Sequence, residues 1–261
     1  MQGYLARDRN WTLEIPIWIP GYRGNYTYGD VTLEGEDGVE LGEPTNPIEP
    51  PGEAPDEGGN IFSRLFTSST YLKFFFMGKV QYIKDKFIAQ IDGFRGSIGS
   101  SIDFKLNNSE VATAKYSANL ARLFLGYSFY ELENKSETIR WTIYGYTGMR
   151  VHHVELFSTL NRTTDELDID VVWSEGIFGV GNRIALKDWL FILQGDMGGF
   201  YTNRNYSYMI SLYCYYRLSD LLSIKVGWTD WEIQHKRELR GEKFSLNVHL
   251  SGPNMGITFH F

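Results

Sequence analysis

The chain reads as an all-β protein, an antiparallel up-and-down transmembrane β-barrel of about ten strands, with eight or twelve also compatible with the even-numbered habit of such barrels. Three observations predict this. Successive segments alternate apolar and polar residues at period two, the signature of strands with one greasy face. Charged residues recur on the face opposite the aliphatic one, where a soluble sheet would have to bury them at a cost of several kcal/mol per unpaired ion. Aromatics make up 16% of the chain, with 27 Gly, which suits aromatic girdles and strand kinks. No apolar run approaches the roughly 18 residues of a spanning helix. The bilayer admits only helices and closed barrels, so a spanning chain of this composition spans with strands.

Charge is unevenly placed. The net charge is -7, but residues 34–57 hold nine acids (Glu34, Glu36, Asp37, Glu40, Glu43, Glu49, Glu53, Asp56, Glu57) and no base. The remainder is slightly basic. The single cysteine, Cys214, forms no internal disulfide and reads as a small apolar strand residue. No leader precedes Trp11, and an exported chain carries one, so its removal is expected. A single barrel domain spans 1–261, carrying a mobile acidic Pro-rich loop at about 34–60.

Taken in order, Trp11–Pro20 is the first strand, with Leu13, Ile15, Ile17 and Ile19 on one face and Thr12, Glu14, Pro16 and Trp18 on the other. Gly21–Gly29 reads as a turn leading to a short hairpin at Asp30–Leu33, and Ile61–Thr70 as a short helix that caps or plugs the barrel. From Tyr71 the rhythm is regular. Tyr71–Ile83 sets Lys73, Lys79 and Gln81 inward, and Lys84–Lys86 turns into Phe87–Ile98, with Gln90 and Asp92 inward. After a long loop at 99–117, Asn119–Glu131 sets Arg122 inward and Leu123, Leu125, Tyr127 and Phe129 outward. A turn at 132–138 leads to Ile139–His152, with Arg140, Tyr144, Tyr146 and Arg150 inward. A loop at 154–168 precedes Val172–Leu186, with Glu175 and Arg183 inward. Lys187-Asp188 turns into Trp189–Phe200, with Gln194 and Asp196 inward. Tyr206–Arg217 presents Ile210, Leu212 and Cys214 outward, and Leu221–Trp231 carries Lys225 inward. A charged loop at 232–243 leads to the last strand, Phe244–Phe261. Its Met255, Ile257, Phe259 and Phe261 share the greasy face. Closure should pair this strand with Trp11–Pro20.

The inward charges thus comprise Lys73, Lys79, Arg122, Arg140, Arg150, Arg183 and Lys225 against Glu14, Asp92, Glu175 and Asp196. At this strand number the lumen is narrow enough for side chains to fill, so a salt-bridged, water-threaded interior is expected rather than an open pore. His152 and His153, with Glu155 nearby and Asp196 on a neighbouring wall, are the candidates for a His–carboxylate general base. No nucleophile motif accompanies them, and hydrated polar groups at a rim explain them better. Asp165, Glu166, Asp168 and Asp170 lack the spacing of a calcium loop. Gly176–Gly181 lies within a strand rather than between strand and helix, so it is no phosphate cradle. Gly195–Gly199 reads as a bend or bulge. Basic and acidic residues alternate without a one-sided patch, which excludes nucleic acid. Neither a metal nor a cofactor is expected.

Four stretches carry a family likeness: Trp18-Ile-Pro-Gly21 with Gly24, Phe76-Met-Gly78, Gly195-Asp-Met-Gly-Gly-Phe200, and the closing Gly252–Phe261. On these the chain resembles a widespread group of Gram-negative outer-membrane barrels whose biochemical role is largely unassigned. The resemblance implies an outer-membrane location and makes the terminal Phe261 the signal read by the barrel assembly machinery. It carries over no catalytic residue. The long acidic Pro-rich insertion is where the chain departs from the simplest members.

The functional expectation is a non-enzymatic structural or accessory component, a subunit of a larger outer-membrane complex, touching lipid, the assembly machinery and other outer-membrane proteins. The alternatives are a narrow channel for small solutes and a hydrolase using a rim His and a carboxylate. An even strand count places both termini in the periplasm.

Overall fold

The computed structural model describes residues 10–28, 31–37, 72–106, 110–134, 139–160, 166–199, 205–239 and 241–261. Twelve strands occupy them: β1 Trp11–Trp18, β2 Gly21–Tyr28, β3 Val31–Asp37, β4 Leu72–Lys84, β5 Phe87–Leu106, β6 Glu110–Glu133, β7 Ile139–Leu160, β8 Glu166–Leu186, β9 Trp189–Gly198, β10 Tyr206–Arg217, β11 Leu222–Leu239 and β12 Glu242–His260. No helix occurs among the described residues. The expected helix at 61–70 and the body of the acidic segment beyond Asp37 lie outside them.

Ten strands close the barrel. β1 pairs antiparallel with β4, each strand from β4 onward pairs with the next, and β12 returns to pair with β1. Closure runs from Thr12↔His260 to Trp18↔Asn254, the pairing that the two terminal strands call for. The remaining two strands build the wall higher up. Of the stretch Gly21–Gly29, expected as a turn, residues Gly21–Tyr28 instead continue the first strand past Ile19-Pro20 as β2, which pairs with Phe244–Ser251 of β12. β3 then folds back on β2. The break falls at Pro20, which has no N–H for the ladder. Gly252 permits it, because a Cβ there would collide with the Ile19 carbonyl.

One rim carries the tight connections: Asp85-Lys86, Lys187-Asp188 and the bend at 218–221, together with Trp11 and Phe261. Asp85 (φ 53°) and Lys187 (φ 50°) adopt left-handed backbone, which Asp tolerates better than Lys. The strands reach far beyond the other end of the apolar belt. The loops expected at 99–117, 154–168 and 232–243 are therefore corrected: β5 runs to Leu106, β6 starts at Glu110, β7 runs to Leu160, β8 starts at Glu166, β11 runs to Leu239 and β12 starts at Glu242.

The reason is an inversion of polarity along the strand without a change of face, seen along the whole of β11 and β12. In β12 the inward residues are Phe244, Leu246, Val248 and Leu250, all buried, and then Asn254 and Thr258. The outward ones are Ser245, Asn247, His249 and Ser251, then Met255 and Ile257. In β11 Trp231, Ile233 and His235 point in above Thr229, Lys225 and Ser223, while Asp230 lies above exposed Trp228, Val226 and Ile224 on the outside. The lower tier is thus greasy outside and polar inside, and the upper tier is built like a water-soluble barrel. The upper core comprises Trp18, Phe94, Leu120, Val154, Val171, Met209, Trp231, Ile233 and the inward face of upper β12.

The exterior of the lower tier is an apolar belt. Phe87 (66% exposed), Leu125 (64%) and Val226 (56%) stand on it, in company with Leu13, Ile15 and Ile17 of β1. Near the tight-turn rim, aromatic pairs bridge neighbouring strands: Trp11–Tyr82 at 4.7 Å between centroids, Phe87–Tyr127 at 5.3 Å, Tyr130–Trp141 at 5.4 Å and Trp189–Tyr216 at 4.7 Å. Such amphipathic rings sit at the headgroup level of a bilayer.

Candidate functional site: the ionised lumen

Cross-strand register, more than sequence proximity, builds the interior. Glu14 of β1 lies directly opposite Lys79 of β4, Lys79 opposite Asp92 of β5, Asp92 opposite Arg122 of β6, Arg122 opposite Arg150 of β7 and Arg150 opposite Glu175 of β8. One lateral row of six charges therefore crosses six adjacent strands on the inner face. Neighbours in register have Cβ atoms about 5 Å apart, so opposite charges there attract and like charges repel. Signs are opposite at every step but one, Arg122 beside Arg150. That step is bridged from across the lumen: Asp196 of β9 accepts from Arg122 Nη1 at 2.5 Å and from Arg150 Nη2. Tyr146 adds a hydroxyl to the same carboxylate at 3.0 Å.

The row is anchored at both ends. At one, Glu14 is almost fully buried and takes Lys79 at 2.9 Å, the Tyr215 hydroxyl at 3.0 Å, and Lys225 from β11. Lys225 also sits 4.3 Å from the Tyr213 ring centroid. At the other, Glu175 Oε1 receives Arg150 at 3.2 Å, His152 Nε2 at 2.8 Å and the Ser207 hydroxyl. Gln90 donates to Asp92 and in turn accepts from Gln81 at 2.8 Å. Lys79, Lys225, Arg122 and Arg150 face Glu14, Asp92, Glu175 and Asp196, four cations against four anions. Buried ions survive only when paired and hydrogen-bonded, and here they are. A cavity beside Glu14, Lys79, Asp92, Arg122 and Lys225 measures about 20 Å³, room for little more than one water.

Two glycines make room for the aromatics below the row. Gly181 lies opposite Tyr144 and Gly179 opposite Tyr146 across β7–β8, and a Cβ at either would collide with the facing ring. The Gly176–Gly181 run is thus strand, as expected, and its glycines leave space for rings. The bend or bulge expected over Gly195–Gly199 is instead regular ladder as far as Gly198, where β9 ends, and only Gly199 turns, at φ +83°.

The expected inward residues fall as follows. Glu14, Lys79, Asp92, Arg122, Arg150, Glu175, Asp196 and Lys225 form the network. Arg140 pairs instead with Glu131 at 3.4 Å and Glu133 at 2.8 Å nearer the tight-turn rim, and Arg183 lines a cup there. The side chain of Lys73 lies outside the described ones. His152 and His153 do not act together, because adjacent strand residues face opposite ways. His152 is inside, on Glu175, with its ring stacked on Trp173 at 4.5 Å. His153 is outside, where Asp170 accepts from its Nε2 at 3.0 Å and the Glu155 carboxylate lies 3.4 Å from the same nitrogen. Asp196 belongs to the two arginines, and neither histidine touches it. Among the described residues no cluster of three or more His, Cys, Asp or Glu side chains could hold a metal. Sequence reasoning missed Ser207 and Tyr215. Their inward parity was available, but their partners come from strands distant in the chain.

A closed antiparallel sheet, apolar outside and ionised within, is a transmembrane β-barrel of the outer-membrane class. No protein-family model matches the chain, and no curated protein matches it. Among solved structures it is similar to the outer-membrane protease OmpT from Escherichia coli, at 8% identity over 97% of each chain with a TM-score of 0.48. It is similar also to Neisserial surface protein A, at 10% identity over 96% of this chain and 97% of that one with a TM-score of 0.32. The translocator domain of the autotransporter NalP from Neisseria meningitidis aligns at 9% identity over 97% of this chain and 89% of that one, with a TM-score of 0.39.

Proposed function

We propose that the protein is a non-conducting outer-membrane barrel with a structural or accessory role, a subunit or partner of other outer-membrane proteins rather than a pore or an enzyme. The observation that carries this reading is the charge-balanced plug, in which a cavity among the charges measures about 20 Å³. A selective pore needs a continuous wet path lined by an excess of one sign, and this row has neither. The hydrolase reading loses support because His152 is nearly fully buried, with Nε2 committed to Glu175. Asp196 is engaged by two arginines. In this reading the acidic segment at 34–57 and the barrel exterior are the surfaces for partners, Phe261 is the assembly signal, and the rim holding Trp11 and Phe261 faces the periplasm.

Planar-bilayer recording tests it. The purified protein should give no conductance above background, and steady unitary steps from the wild type would sink the proposal in favour of a channel. Pull-down from native membrane should then recover a partner in stoichiometric amount.

A further inference from the structure

The tight-turn end of the lumen is not filled like its middle. A cup of about 560 Å³ opens there, lined by Asn10, the turn Lys84-Asp85-Lys86, Ser128, Glu131, Arg140, Thr142 and Arg183, with Ile83, Ile88, Ala185 and Leu190 as its apolar lining. Its volume lies in the range of small-molecule sites. Ile88, Ala185 and Leu190 are buried, and above them Phe124 and Tyr144 continue an apolar and aromatic layer up to the ionised row. The cup therefore ends blind. On the β8–β9 wall Ala185 and Leu190 stand next to the tight turn and Arg183 one inward position deeper, so apolar and cationic groups lie side by side.

Charge around the cup is unequal. Lys84, Lys86, Arg140 and Arg183 line it against Asp85 and Glu131. Glu131 and Glu133 hold the Arg140 guanidinium in place, and Arg183 sits on the adjacent strand, opposite Thr142. Two guanidiniums on neighbouring strands present planar donor forks suited to a carboxylate. The hydroxyls of Ser128 and Thr142 add further hydrogen-bonding capacity. We infer that this cup is a binding site for a small amphipathic carboxylate, its apolar body on Ile88, Ala185 and Leu190 and its carboxylate between Arg140 and Arg183. The site goes beyond the structural role proposed above and does not depend on it, since a blind cup binds whether or not the plug conducts.

The experiment is titration calorimetry on the full chain in lipid nanodiscs, with empty nanodiscs subtracted to remove partitioning into lipid. Hexanoate is the probe, and hexylammonium and hexan-1-ol are its matched cationic and neutral controls. Hexanoate should bind saturably at one site per barrel. Arg183→Gln and Arg140→Gln should each weaken it roughly tenfold, the equivalent of one lost charge-assisted contact. Exterior Arg95→Gln should leave it unchanged. Ala185→Trp, which fills the apolar wall beside Leu190 while keeping every charge, should abolish it. Heat-modifiable mobility reports that each variant is folded. Equal binding of hexylammonium, an unsaturable response, or affinity that survives both arginine variants and Ala185→Trp would overturn the assignment.

Discussion

Asp196 shows at the scale of one residue what the lumen demands. It is 5% exposed and carries Arg122, Arg150 and Tyr146 on one carboxylate. Removing it leaves two adjacent guanidiniums facing each other with half their compensation gone. Breaking a buried ion pair from one side costs about 3–5 kcal/mol. Asp196→Ala should therefore lower unfolding stability by about that amount, read from denaturant unfolding in lipid vesicles, and Asp196→Asn should cost less because it keeps one acceptor. His235 makes a second residue-scale case. It lies beyond the apolar belt, 6% exposed, stacked 4.3 Å from Trp173. Burial, helped by the nearby charges of His152 and Arg237, pushes its imidazole down to about 4. An unfolded histidine titrates near 6.5. Between those values the unfolded chain takes up a proton that the folded one refuses, so stability should fall as pH drops from about 6.5 to about 4. His235→Phe should flatten that decline. An unchanged slope would assign it to another group.

At the scale of an element, β12 keeps its faces and changes its environment. Its odd-numbered residues point outward throughout, polar at Ser245, Asn247 and His249 and apolar at Met255 and Ile257. Single cysteines on this strand, placed in a Cys214→Ala background, should report a sharp boundary. Cysteines at 245, 247 and 249 should react with a membrane-impermeant maleimide. Those at 255 and 257 should instead be quenched by lipid-borne probes once labelled. Reactivity extending evenly to 257 would remove the membrane belt from this strand. The same inversion explains what was illegible beforehand. A search for greasy outward residues finds Ile224, Val226 and Trp228 and stops at Asp230, where the strand in fact continues to Leu239. The continuation is greasy on the other face, at Trp231 and Ile233, and so resembles a charged loop when only one face is scored.

For the whole molecule, neutrality of the plug is the property that matters. Removing two cations together, Arg122→Ala with Arg150→Ala, should leave the four lumen anions in excess and empty the space of two long side chains. A cation-selective leak, visible as a shifted reversal potential in asymmetric salt, is the expected outcome if the variant remains heat-modifiable. A folded but silent double variant would mean that the aromatic layer around Phe124 and Tyr144 closes the lumen by itself. The ten-strand closure does not depend on the plug, because it rests on backbone ladders from β1 through β12.

The sequence by itself determined the fold class, the strand membership of the barrel and the face on which Glu14, Asp92, Arg122, Arg150, Glu175, Asp196 and Lys225 lie. Period-two alternation is a local property, and two-residue turns such as Asp85-Lys86 fix their own hairpins. Only the tertiary structure decided which charges meet. Glu14 is held by Lys225, 211 positions away, and Asp196 reaches across the lumen to two strands that do not adjoin its own. The shear of the closed sheet and its narrow bore set those pairings. Neither is written in the alternation of any one strand.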